Sequence, residues 1–269
     1  MNHSEAALAA VILAGHSPAE EDLLAEHSLG RPKGLIPIAG RPMIAYVAEA
    51  LAGSRHIRRI VVAGLPAEYH AVLPVAADYT PPQADMMGNA EAGIRRAMEL
   101  LPGLNGVVIA SADLPLLTSE VADMFIAECL KTDHDLYYGV IERSVMEGRF
   151  PTSRRTYVHL ADGEFAGGDL ILVRPRALRT DQDLWRRLSS ARKSPLHQAQ
   201  MLGGLWPVVR LLTRRMSLSE AEQRASRALN LRGRVVVCPH AELGMDVDKP
   251  FQLEIVRAEL EARDGLLSS

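Results

Sequence analysis

The sequence predicts an α/β fold: a three-layer αβα sandwich around a mainly parallel mixed sheet, with a helical insertion in its C-terminal third. Three observations lead there. Short runs of Val, Ile, Leu and Ala alternate with segments of helical period, the pattern of βαβ units. The chain is 48% hydrophobic but only 4% aromatic, so its core is built from small aliphatic side chains, which suits strands covered on both faces. Finally, Gly15 and Asp113 fall just past apolar runs, where a parallel sheet presents its carboxyl ends to ligands. At 269 residues, one domain over residues 1–269 is expected, with residues 175–230 as a helical insertion or subdomain.

The elements follow in order. Residues Ala6 to Leu13 read as a buried first strand, and Pro42 opens a helix through Leu51 with Ile44, Val47, Ala48 and Leu51 on one face. Arg59 to Ala63 is the second strand; Gly88 to Leu101 has helical spacing; Gly106 to Ala110 is an apolar strand leading to Asp113. Thr118 or Ser119 caps the next helix, whose first turn carries Glu120 and Asp123. Strands are predicted over Leu136 to Ile141, Thr156 to Leu160 and Leu170 to Val173, with a turn at Asp162-Gly163. From Pro175 to Asn230 the pattern is helical, with Trp185, Leu188 and Leu205 among its anchors and a last helix over Leu218 to Leu229 behind Ser217 or Ser219. Val235 to Cys238 returns to the sheet, and Pro250 starts a closing helix through Leu260.

A net charge of −3 gives no basic field for nucleic acid, so an anionic ligand must be held in a local pocket. Cys129 and Cys238 stand far apart with no CxxC spacing, which argues against a zinc site or a disulfide framework. The apolar stretch at Ala6 to Ala14 is too short to span a membrane and follows Glu5 rather than a basic region. The expected location is the cytoplasm. The sequence assigns no oligomeric state.

Four short segments carry the chemistry. Gly15, in Leu13-Ala14-Gly15, either makes a tight turn or lets backbone N–H groups approach a nucleotide. Lys33, preceded by Arg31, offers a cation for phosphate charge. Asp113, delivered by Val107 to Ala110, either caps a turn or binds a hard cation. Asp246 and Asp248, two apart, share a side of an extended segment, so one can ligate a metal while the other supports it. Gly88-Asn89 opens a helix, where Asn89 is equally explained as a cap. Arg154, Arg155, Arg192 and Lys193 are the candidates for gripping an anionic acceptor, although a solvated charged face explains them as well. His159 alternates with apolar neighbours and reads as structural.

These segments, above all Lys33-Gly34-Leu35-Ile36-Pro37-Ile38-Ala39-Gly40-Arg41-Pro42-Met43, resemble the signature of the MobA-like NTP transferases, nucleotidyltransferases with a GT-A-like, Rossmann-like fold. Gly88-Asn89, Asp113-Leu114-Pro115 and Asp246-Val247-Asp248-Lys249-Pro250 also match the pattern. The resemblance implies that Asp113 and Asp248, with Asp246 in support, bind Mg²⁺ or Mn²⁺. It implies that Leu13, Ala14, Gly15, Arg31 and Lys33 hold the triphosphate, and that Gly88 and Asn89 lie near base and ribose. Asp169, where relatives often carry asparagine, is assigned to the pocket wall. One departure stands out: the first loop, with Glu20, Glu21 and Asp22, is long and acidic where the family has a second glycine and an arginine.

The expected activity is a Mg²⁺-dependent transfer of NMP from an NTP to a phosphorylated or otherwise anionic small molecule, with Lys33 and Asp113 as catalytic residues and pyrophosphate as by-product. The rival enzyme reading, a nucleotide-sugar glycosyltransferase, would release a nucleoside diphosphate instead. A non-catalytic nucleotide-binding protein is the third reading, prompted by the unusual first loop.

Overall fold

The first strand, β1 (Leu8–Leu13), sits at the centre of the molecule because its side chains alternate between two apolar layers. Leu8, Ala10 and Ile12 join one hydrophobic cluster, Ala9 and Val11 the other. Burying each such Val, Leu or Ile contributes about 1.5–3 kcal/mol, so a strand apolar on both faces is held only between two layers of helices. The computed structural model describes residues 7–15, 23–180 and 214–267.

Beside β1 run β4 (Ile57–Ala63) and β6 (Gly106–Ser111), both parallel to it, and β5 (Asp78–Thr80) continues parallel from β4. On the other side lie β7 (Leu136–Glu142), β8 (Val158–Leu160), β9 (Gly163–Val173) and β10 (Gly233–Cys238). Among the described residues these eight strands form one sheet in the order β10-β7-β9-β6-β1-β4-β5, with β8 paired to β9. β9 runs antiparallel to β6, β7 and β8, while β10 runs parallel to β7. The sheet is therefore mixed and mainly parallel, as expected. Helices α2 (Met43–Ala52), α4 (Ser119–Leu130) and α8 (Pro250–Leu267) bury side chains in the first cluster, whereas α3 (Met86–Leu100) packs Ile94 and Ala97 into the second.

Several elements differ from the sequence expectation. A two-stranded ribbon, β2 (Pro37–Ile38) and β3 (Arg41–Pro42), precedes α2. Its turn residues Ala39 and Gly40 both have positive φ, 47° and 76°, the geometry of a primed hairpin turn. Pro42 consequently caps α2 rather than occupying its first turn. β9 begins at Gly163, not Leu170, because Gly167 and Gly168 lie inside the strand: a Cβ on Gly168 would come 2.7 Å from Leu243. Two short helices, α1 (Ala25–Ser28) and α5 (Arg143–Arg149), carried too little periodicity to be expected.

The expected helical stretch is described at its two ends, as α6 (Pro175–Thr180) and α7 (Leu218–Leu229). Ser217 caps α7 by accepting from the Glu220 N–H. Trp185, Leu188, Arg192, Lys193 and Leu205 lie outside the described residues, as does the acidic run Glu20-Glu21-Asp22. Cys129 and Cys238 are free and buried, and burial raises both thiol pKa values. No helix among the described residues is long and apolar enough to cross a membrane.

Candidate active site

Parallel strands end together, and here the ends of β1, β4 and β6 are stitched into one edge. The Ala14 N–H donates to Ala63 O at 2.9 Å, and the Ala112 N–H to Leu13 O at 3.0 Å. Leu13-Ala14-Gly15 thus runs between the strand ends leading to Gly64 and Asp113. Ala14 is buried and Gly15 exposed.

Asn89 is packed against this edge. Asp85 caps α3 by accepting from the Gly88 N–H at 2.8 Å, which places Asn89 at the end of the first turn. Its side chain is buried, and its Oδ1 accepts from the Gln83 N–H at 2.9 Å. A Cβ on Gly15 would strike Asn89 Nδ2, and one on Gly64 would lie 2.8 Å from the same amide. Both glycines are needed because the amide occupies the space a side chain would take. Gly88 and Asn89 therefore do meet Gly15, and the arrangement also gives Asn89 a packing role.

The other half of the edge is charged. Lys33 begins a 3₁₀ turn, Lys33–Leu35, after Pro32. Gly34 lets this turn press on the β6 exit, since a Cβ there would come 2.9 Å from Ala112 Cβ. Lys33 Nζ reaches Asp113 Oδ2 and also donates to Asp248 Oδ1 at 2.6 Å, joining positions 215 residues apart. The Val247 N–H donates to Asp113 O at 3.0 Å, holding the two carboxylate-bearing segments side by side. Ser111 Oγ donates to Asp113 Oδ1.

Asp246 and Asp248 are neighbours with different partners. Asp248 is exposed and paired to Lys33, whereas Asp246 is buried and paired to Arg155. Arg155 is thus a mostly buried counter-ion for Asp246, a more specific task than the acceptor grip the sequence suggested. Asp169 joins the same wall, with Oδ2 buried and without a hydrogen-bond donor among the described residues.

The pKa shifts follow from this crowding. Burial, then the neighbouring carboxylates, raises Asp246 and Asp169, against the pull of Arg155. Burial works against the charge of Asp248 too, but Asp246 and Lys33 outweigh it and hold that carboxyl below its ordinary value. Burial likewise opposes the Lys33 charge, yet Asp113 and Asp248 raise its pKa above the usual lysine range.

Two hard carboxylate donors converging on one ammonium is a donor set that fits Mg²⁺ or Mn²⁺. Such ions take one or two carboxylates and complete their shell with water and substrate phosphates. No cage of three or more acidic, His or Cys ligands occurs among the described residues.

Of the remaining expected residues, Arg31 is exposed, its Nε donating to Ser28 O at 3.4 Å. Arg154 turns away from the carboxylates and lies over Phe251. His159 pairs with Glu164. Gln252 was missed by sequence reasoning: its buried Oε1 accepts from the Asp248 and Lys249 N–H groups, each at 2.9 Å, at the start of α8. The available signal was its spacing, three residues past Lys249, where a capping-box Gln or Glu stands.

The profile of the MobA-like NTP transferase domain matches residues 10–230. A hypothetical transferase from Thermus thermophilus is 33% identical and superposes with a TM-score of 0.78, over 91% of this chain and 98% of that one. A CMP:2-keto-3-deoxy-manno-octonic acid synthetase complexed with CTP shares the fold at a TM-score of 0.57 and 16% identity, covering 95% and 99% of the two chains. The bifunctional protein GlmU of Rhodospirillum rubrum is 41% identical over 90 residues, 33% of this chain and 20% of that protein, so the match spans about a fifth of the curated relative.

Proposed function

The chain belongs to the MobA-like NTP transferase family, and we propose that it is a nucleotidyltransferase that moves NMP from an NTP to a phosphorylated or otherwise anionic small-molecule acceptor. The observation that carries this reading is the meeting of Asp113 and Asp248 on Lys33 Nζ at the carboxyl edge of the sheet, where open α/β sheets bind ligands. The fold shared with a CTP-bound synthetase supports an NTP as donor without choosing its base.

Each residue then has a physical task. Gly15, exposed at the end of β1, leaves the backbone open to the triphosphate. Asp113 and Asp248, with Asp246 behind them, would hold Mg²⁺ or Mn²⁺, which neutralises phosphate charge when bound. Lys33, whose ammonium pairs with both Asp113 and Asp248, would stabilise charge developing on the departing pyrophosphate. The acceptor oxygen attacks the α-phosphorus as the bond to the β-phosphate oxygen breaks in line. An acceptor that arrives already ionised needs no general base. Arg155 keeps Asp246 in place, and Asp169 closes the wall behind the reacting groups.

The test is a pyrophosphate-release screen of the four common NTPs against a panel of phosphorylated acceptors. Release that needs both an NTP and an acceptor, and that collapses in Lys33→Ala, supports the reading. Turnover of a nucleotide sugar to a nucleoside diphosphate would replace it with the glycosyltransferase.

A further inference from the structure

Asp113 stands just past a strand whose position is fixed from both sides. β6 pairs in parallel with β1, Leu13 opposite Ser111, and antiparallel with β9, Ala110 opposite Leu170. The backbone beyond the strand is held as well. The Ala112 N–H donates to Leu13 O, and Asp113 O accepts from the Val247 N–H, each at 3.0 Å. These bonds leave the carboxylate itself free to turn. The last torsion of an aspartate joins an sp³ to an sp² carbon, and such torsions are broad and roughly two-fold, so a well-placed backbone does not by itself aim the oxygens.

Ser111 removes that freedom. It is the last residue of β6, two before Asp113, and its Oγ donates to Asp113 Oδ1 while Lys33 Nζ pairs with Oδ2. The two oxygens are thus held by different groups, one neutral and one charged. Because a carboxylate oxygen accepts at about two lone-pair positions, Oδ1 keeps one position for a cation. Asp113 is only 7% exposed, so a donor lost here is not simply replaced by bulk water. Asp248 is served differently: its side chain is half exposed, Lys33 holds its Oδ1, and Gln252 accepts from its backbone N–H.

We propose that Ser111 is a positioning residue for the cation site: its hydroxyl fixes the rotation of the Asp113 carboxylate, so that Mg²⁺ or Mn²⁺ meets a ligand already oriented. The inference rests on the metal-dependent transferase reading for the ion. Ser111 touches neither the ion nor the nucleotide in this role and acts through Asp113. Hydrogen-bond partners of a metal-binding carboxylate typically account for about 10–100-fold in metal affinity or activity. Ser111→Ala would leave the carboxylate to Lys33 alone.

The experiment titrates the full chain with Mn²⁺ alone, reading the free ion by electron paramagnetic resonance, and adds thermal melts in EDTA and in Mn²⁺. Ser111→Ala should weaken Mn²⁺ binding about tenfold or more. It should keep its midpoint in EDTA and lose most of the rise that Mn²⁺ gives the natural sequence. Ser111→Thr retains the hydroxyl and should bind Mn²⁺ within about twofold of the natural sequence. Unchanged Mn²⁺ affinity in Ser111→Ala overturns the inference. So does a midpoint that falls in EDTA while the Mn²⁺-dependent rise stays intact, which is how a merely structural serine behaves. Failure of the underlying reading looks different: if the natural sequence shows no Mn²⁺ binding that Asp113→Ala abolishes, the cation site itself is removed, and the role of Ser111 with it.

Discussion

Along the carboxyl edge of the sheet, the β1–β4 half is lined by backbone and a single amide, while the β6–β9 half gathers four carboxylates, a lysine and an arginine. In the first half Asn89 fills the space left by Gly15 and Gly64, so geometry there depends on the absence of side chains. In the second, Asp113, Asp169, Asp246 and Asp248 surround Lys33 and Arg155, so geometry depends on charge balance. The difference teaches that one edge can serve two ends of one ligand: a polyphosphate needs close N–H groups at one place and a neutralising cation at another. Perturbing each half should therefore fail in a different observable.

The largest effect belongs to the charged half. Asp113→Asn and Lys33→Ala should each lower turnover by about 10²-fold or more, measured as pyrophosphate release. Arg155→Ala comes next and should appear in stability instead. It strands Asp246 in a buried position, and breaking such a pair costs about 3–5 kcal/mol; chemical denaturation should show it, and Arg155→Ala combined with Asp246→Asn should recover much of the loss.

In the neutral half, Gly15→Ala drives a Cβ into Asn89 and should cost about 1–3 kcal/mol. Pairing it with Asn89→Ala should restore folding more than either change alone predicts, a coupling that a double-mutant cycle reads directly. The smallest effect should come from Gln252→Ala, which leaves the Asp248 and Lys249 N–H groups without their acceptor. A lost cap is worth about 1 kcal/mol, and Gln252→Glu should recover it in the same melting assay.

What was legible in the sequence divides along the same line. The charged half announced itself, because Asp113 stands just past an apolar strand, Asp246 and Asp248 are two apart, and Lys33 sits in a run of specific character. Their convergence was not legible, since joining residues 33 and 248 depends on β6 and the segment before α8 lying side by side. The sheet core was readable from uninterrupted Val, Ile and Ala runs. Gly167 and Gly168 misled, because glycine marks a turn and a close approach alike, and only Leu243 packing on the strand tells them apart. Arg155 could not be separated from Arg154 by type; their partners, Asp246 for one and Phe251 for the other, give adjacent arginines opposite roles.

The central claim is that the carboxylates meeting on Lys33 form a cation site for the nucleotide. Its most direct test is NTP affinity, measured by calorimetry in excess Mg²⁺ and again in EDTA, for the natural sequence and for Asp113→Ala. The account predicts clearly tighter binding with Mg²⁺ for the natural sequence and a largely abolished difference for Asp113→Ala. Equal affinity in Mg²⁺ and EDTA for the natural sequence would contradict it.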